Sequence, residues 1–426
     1  MKTTPAAAGL AVIELARQGR FAEIRDSFAP QLRPMVPAGA LQAAWESELA
    51  KNGPVCSVGT AVTEPAGPGA VVVKVPVTFE HGAVAVAVRL AGDENWITGI
   101  QLLPAGAAEP APPWEPPAYA DPEKFTEQDV TVGGGPLAVG GTLSLPRQAG
   151  PVPGVALLAG SGPQDRDETI GRNKPLKDLA WGLASAGVAV LRFDKVTFAH
   201  PEQVAGNRGF TLTDEYVPHA AAAIQVLAEH PAVDARRIFV AGHSLGGTVA
   251  PRVAAAEPSV AGLVISAGGA EPMHRAAVRQ FRYLASLEPG QAAAAQPALD
   301  VITRQAQAVD DPGLSESTPD SELPFGTPAA YWLDVRGYDP AAAAAALGKP
   351  LLIVQGGRDY QVTVADDLSL WRAALNGRPD VTIRVYDADN HLFFPGSGPS
   401  SPAEYEPAQH VDPEVVAAIA SWLGSV

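Results

Sequence analysis

The spacing of apolar and polar positions divides the chain into two differently patterned stretches. Over residues 5 to about 52 the apolar residues recur at helical intervals. Leu10, Ile13, Leu15 and Ala16 form one face, and Phe21, Ile24 and Phe28 form another. From Val55 the period shortens. Val71–Val77, Ala83–Leu90 and Trp96–Leu102 read as strands, with Glu80-His81-Gly82 a hairpin turn between the first two. Helices followed by an antiparallel meander predict a small α+β domain over residues 1–103. Proline then dominates. The stretch Pro104 to Pro122 holds Pro110, Pro112, Pro113, Pro116 and Pro117, a density that blocks helix and ladder alike, so residues 104–122 read as an interdomain linker.

After the linker, short β-branched runs alternate with helices. Val130–Val132 and Leu137–Leu145 suggest a leading hairpin. The runs Val155–Leu158, Val188–Phe193, Ile238–Ala241, Leu263–Ile265, Leu351–Val354 and Val381–Tyr386 read as strands. Helices are expected over about 175–186, 211–229 and 246–256. Continuous apolar runs of this length mean strands buried on both faces of a mostly parallel sheet, so residues 123–426 read as an α/β domain. The alternation breaks once, over about 271–347. That segment is Ala-rich and helical in character and is expected to form a cap over the strand C-terminal ends.

Composition narrows the function class. The 426-residue chain carries a net charge of −16, which argues against binding nucleic acid through phosphate neutralisation and against anchoring to an anionic membrane. Cys56 is the only cysteine, which excludes an intrachain disulfide and a cysteine-based metal cluster. Glu14 and Arg17 interrupt the one apolar run near the start, so no signal peptide is read and a cytoplasmic location is expected. No run of eighteen apolar residues marks a membrane span. The oligomeric state is not legible.

The chemistry concentrates in three loops. Gly242-His243-Ser244-Leu245-Gly246 fits G-x-S-x-G, a weak pattern in a chain with 42 glycines, but it directly follows a strand and opens a helix, as a nucleophile elbow requires. A neutral serine needs a base, and the base needs an orienting acid. His391, in Asp387-Ala388-Asp389-Asn390-His391 after the last strand, is better placed than His274 or His410. Asp359, closing Gln355-Gly356-Gly357-Arg358-Asp359 after the penultimate strand, is the expected acid, with Asp387 and Asp389 as competitors. The oxyanion donors are expected to be the N–H of Leu245 and that of Ser161 in Ala159-Gly160-Ser161-Gly162-Pro163, with Gly162 as alternative to Ser161. The polar run Gln164-Asp165-Arg166-Asp167-Glu168 either rims the pocket or ties the oxyanion loop down through an Arg–carboxylate pair, and the second reading is preferred.

With these residues in hand, residues 120–426 resemble bacterial α/β-hydrolase esterases related to dienelactone hydrolases and serine peptidase-like acyl hydrolases. The resemblance is carried by Gly160-Ser161-Gly162-Pro163-Gln164-Asp165-Arg166-Asp167, Asn173-Lys174-Pro175, Leu191-Arg192-Phe193-Asp194-Lys195, Gly242-His243-Ser244-Leu245-Gly246-Gly247 and Ala250-Pro251-Arg252. It implies an α/β-hydrolase fold behind a small N-terminal domain, and carboxylesterase activity on a small-molecule acyl substrate without cofactor or metal. Such proteins are often exported, and here the chain departs from the group. Phe198-Ala199-His200 also replaces a small Gly-rich turn, which points to a specialised pocket rim. The leading expectation is hydrolysis of a carboxylic ester or lactone through acyl-Ser244. Thioesterase, amidase or acyltransferase chemistry with the same triad stays open, and a non-catalytic binding protein is the remaining alternative.

Overall fold

The computed structural model describes residues 4–30, 32–33, 36–66, 69–92, 94–108, 113–287 and 292–426. Pro110 and Pro112 of the expected linker, and residues 288–291 of the expected insertion, lie outside the described residues. The chain forms two compact units, Met1–Pro112 with Ala277–Ala329, and Pro113–Ala276 with Ala330–Val426. Most of the segment read as an insertion, residues 277–329, thus clusters with the N-terminal unit.

The first unit carries helices Pro5–Arg17, Phe21–Asp26 and Ala38–Asn52. The first opens with Thr4 as N-cap and Pro5 in the first turn, where its missing N–H costs nothing. Its inward face is Gly9, Val12, Ile13 and Ala16, while Leu10 is 38% exposed. The apolar stripe is therefore rotated from the one expected, because Gly9 lets the helix approach Val73 where a side chain would collide. Five strands follow: β1 Val55–Val58, β2 Val62–Pro65, β3 Ala70–Phe79, β4 Ala83–Ala91 and β5 Trp96–Pro104. All pair antiparallel, with β3 central. The β3–β4 turn falls at Glu80-His81-Gly82, closed by Phe79 N–H donating to the Gly82 carbonyl at 2.8 Å. Val73, Val75, Val77, Val86, Val88, Leu90 and Ile97 meet Ile13, Phe21, Ile24 and Phe28 in one core. In the same unit Ala277, Val278, Ile302 and Ala306 form a smaller cluster.

The second unit is built on eight strands: β6 Phe125–Val132, β7 Val139–Pro146, β8 Val152–Leu158, β9 Ala189–Phe193, β10 Val233–His243, β11 Gly262–Ser266, β12 Leu351–Gly356 and β13 Val381–Tyr386. Their spatial order is β13-β12-β11-β10-β8-β9-β7-β6. The first six run parallel, and β7 and β6 are the antiparallel edge. Every residue of β8, β9, β11 and β12 is buried, as expected for a sheet covered by helices on both faces. From β8 the chain turns one way to β9 and then returns to the other side of β8 as β10. That reversal is the switch point at which open α/β sheets leave a crevice at the strand C-terminal ends. The pairing Leu158↔Gly242 places the loops after β8 and β10 side by side there.

Residues from Pro113 onward belong to this unit, and Trp114 is anchored within it. Trp114 Nε1 donates to the buried Asp178 at 2.8 Å, its ring meets Trp181 edge-on at 4.9 Å, and Lys177 Nζ lies 4.2 Å above it. Trp114→Ala should therefore cost about 2 kcal/mol, seen as a lower urea midpoint at unchanged slope. An unchanged midpoint would show that this anchor contributes nothing.

Candidate active site

Ser244 sits between β10 and the helix Leu245–Ala256 with φ 53° and ψ −121°. A non-glycine residue there is strained, and the neighbouring packing must hold it. Gly242 and Gly246 make the turn possible. A Cβ on Gly242 would run into the Gly246 backbone, and one on Gly246 would run into the carbonyls of Leu158 and Ala159. The Ser244 N–H is fixed by the Ser266 carbonyl at 2.9 Å. The side chain is thereby lifted clear of the sheet at the switch point. Leu245 begins the helix, so its N–H has no carbonyl one turn back within that helix.

The three expected residues meet. His391 Nε2 lies 2.9 Å from Ser244 Oγ, and His391 Nδ1 lies 2.7 Å from Asp359 Oδ2. With a carboxylate at Nδ1, that nitrogen carries the proton and Nε2 is free to accept from the serine. The second oxygen of Asp359 accepts from the N–H groups of Gln361 and Val362 at 2.8 and 3.0 Å, and Gln355 Nε2 approaches Oδ2 at 3.1 Å. The acid is thus held by its own loop. Arg358 spans from this loop to the histidine loop, donating to the carbonyls of Ala388, Ser397 and Gly398 and pairing with Glu404.

The competing acids stand apart. Asp387 is exposed, whereas Asp389 is buried beside Asp412. Burial first, and then the Asp412 charge, push its carboxyl from 3.8 up to about 7.

The loop after β8 lies against Ser244. A Cβ on Gly160 would come 3.2 Å from Ser244 Cβ and 2.8 Å from Glu168 Oε1. The polar run behind the loop is a tie. Arg166 forks onto Asp194 with contacts of 3.1 and 2.8 Å, and Asp167 accepts from Arg192 and Lys174 at 2.8 Å each. Asp194 and Arg192 belong to Leu191-Arg192-Phe193-Asp194-Lys195, so that motif interlocks with Gly160–Asp167. Asn173 holds the carbonyls of Tyr405 and Pro407 and accepts from Gln409 N–H. His200, expected at a specialised rim, bonds the Ala138 carbonyl at 2.8 Å.

Two residues carry more of the site than their sequence positions suggested. Glu168, at φ 53°, is 1% exposed and accepts the Gly160 N–H at 2.6 Å. It also pairs with His243 Nδ1 at 3.0 Å, while His243 Nε2 meets the His391 carbonyl at 2.9 Å. Both ring nitrogens of His243 thus face acceptors, an arrangement that favours the protonated ring. Burial opposes that charge, but the Glu168 carboxylate outweighs it and raises the His243 pKa. The pair joins the loop after β8, the turn at Ser244 and the loop that carries His391. The available signal is charge itself: His243 stands among glycines and apolar residues, and Glu168 closes the polar run that follows the Gly160 loop.

Residues 171–395, more than half of the chain, match the family model described as serine aminopeptidase, S33. The chain belongs to that family. As an S33-family protein it is a serine hydrolase of α/β-hydrolase fold, and the match spans Ser244, Asp359 and His391. It is similar to esterase EstD of Thermotoga maritima, 39% identical over 346 residues, which cover 81% of this chain and 77% of that one. Among solved structures it resembles an esterase of Pyrococcus furiosus at 18% identity (TM-score 0.44, 73% and 97% of the two chains). It also resembles a putative dienelactone hydrolase from Klebsiella pneumoniae at 15% identity (TM-score 0.44, 71% and 99%). Among the described residues of this S33-family chain no helix is long and apolar enough to cross a membrane.

The buried Asp389 gives the histidine loop a pH signature. A carboxyl raised on folding contributes most stability below pH 3.8 and loses it as pH rises towards about 7. Asp389→Asn should therefore gain thermal stability over wild type progressively across that window, with a constant gain above it. An equal difference at pH 4 and pH 8 would refute the assignment.

Proposed function

We propose that the protein hydrolyses small carboxylic esters or lactones through an acyl intermediate on Ser244. The observation that carries this reading is the continuous line Asp359–His391–Ser244, with contacts of 2.7 and 2.9 Å, ending on a serine at φ 53°. His391 takes the Ser244 proton as Oγ attacks the substrate carbonyl carbon. Asp359 keeps the imidazole in the required tautomer and stabilises its cation. The oxyanion is received by the N–H groups of Leu245 and Ser161. Collapse expels the alcohol, protonated by His391. Water then repeats the sequence, giving up its proton to His391 and releasing the acid. The 39% identity to esterase EstD supports an ester as the substrate class.

Ser244→Ala should lose labelling by a fluorophosphonate probe and lower kcat on p-nitrophenyl butyrate by at least about 10⁴-fold. Persistent labelling would mean that another serine is the nucleophile. Asp359→Asn should retain the fold yet drop kcat by about 10³–10⁴-fold, since the amide favours the wrong imidazole tautomer. Comparing kcat/KM for an ester, its thioester and its amide with one acyl group tests the substrate class. A preference for the thioester or the amide would overturn the ester reading.

A further inference from the structure

Lys195 is a fully buried cation that the triad does not use. It is 3% exposed, and its ammonium has three acceptors for its three protons: the Gly160 carbonyl, Tyr216 Oη and Glu215 Oε1, each at 2.8 Å. Tyr216 accepts from Lys195, so its own proton points to carbonyls, that of Gly160 at 2.9 Å and that of Ala159 at 3.0 Å. Glu215 is in turn capped by Tyr331 Oη at 2.8 Å. Burial lowers the Lys195 pKa, and the facing Glu215 works against that shift. An apolar pair would fill such a position at lower desolvation cost, so stability alone gives little reason for a buried Lys–Glu pair.

The cation acts on one peptide group. Gly160 N–H is already spent on Glu168 at 2.6 Å, so it cannot serve a substrate. The next peptide, Gly160–Ser161, is trans, so its C=O and N–H point in opposite directions. Two donors on the Gly160 oxygen therefore fix the direction of the Ser161 N–H from behind. They also draw electron density towards that oxygen, making the N–H a stronger donor. Gly160 itself lies against Ser244.

We propose that Lys195, assisted by Tyr216, is a positioning residue that aims and polarises the Ser161 N–H as an oxyanion donor. This rests on the reading of Ser244 as nucleophile and Ser161 as donor. Lys195 touches no reacting atom. Its effect should appear where negative charge develops on the substrate oxygen and not in ground-state binding.

The test uses the full-length chain with Lys195→Met and Tyr216→Phe, and compares p-nitrophenyl butyrate turnover with inhibition by an alkyl trifluoromethyl ketone. Ser244 adds to that ketone to give a charged hemiketal, a mimic of the tetrahedral state. Lys195→Met should lower kcat about 100-fold and weaken ketone inhibition in parallel, with KM within about threefold and the pH midpoint of the His391 limb unmoved. Tyr216→Phe should show the same pattern at about tenfold. Unchanged kcat, or reduced kcat with wild-type ketone affinity, would overturn the proposal. Should Lys195→Met fail to fold, Tyr216→Phe decides by the same criterion. Fluorophosphonate labelling that survives Ser244→Ala would instead overturn the reading of the nucleophile, a separable result.

Discussion

The backbone at Ser244 is the constraint around which the site is arranged. Holding a serine at φ 53° between a strand and a helix needs backbone on all sides at distances that side chains forbid. Gly242 and Gly246 give up their Cβ atoms for that reason, and the carbonyls of Leu158 and Ala159 close over the turn. The contact that enforces the strain also brings the end of β8 against Ser244. The loop that follows β8 is thereby delivered to Ser244. Sheet order does the rest, because β8 and β10 are neighbours at the switch point.

Around that turn the protein buries charge in pairs, and each pair fixes a backbone segment. Glu168 with His243 grips the Gly160 N–H and the His391 carbonyl. Lys195 with Glu215 grips the Gly160 carbonyl. Arg166 with Asp194 and Arg192 with Asp167 lock the β8 loop to the end of β9. Burying such groups unpaired would cost several kcal/mol each, so losing one partner should be felt by the other and by the peptide they hold. The backbone around Ser244 is thus held from behind by ion pairs.

Much of this was written locally. The parallel strands announced themselves as β-branched runs, since a strand buried on both faces has no polar alternation to hide it. The G-x-S-x-G turn was legible because its glycines follow from a local steric need. His391 and Asp359 were legible because each follows an identifiable strand. The buried stripe of Pro5–Arg17 is turned from the one its apolar spacing predicts. Its rotation is set by Val73, more than fifty residues away, and Leu10 faces out although it is apolar.

The partners of Glu168, Lys195 and His243 show where local reading stops. The chain itself specified an acid, a lysine and a histidine near the right loops, and their residue types already promised buried or functional charge. Nothing local stated that Glu168 would reach Gly160 from eight residues away and His243 from seventy-five. Nor did it state that Lys195 would meet a carbonyl thirty-five residues earlier. Residue type, period and turn chemistry are properties of neighbours in sequence. Which N–H, carbonyl or carboxylate a buried charge meets is settled only when sheet order brings distant loops together, because burial makes an unpaired charge too costly to keep.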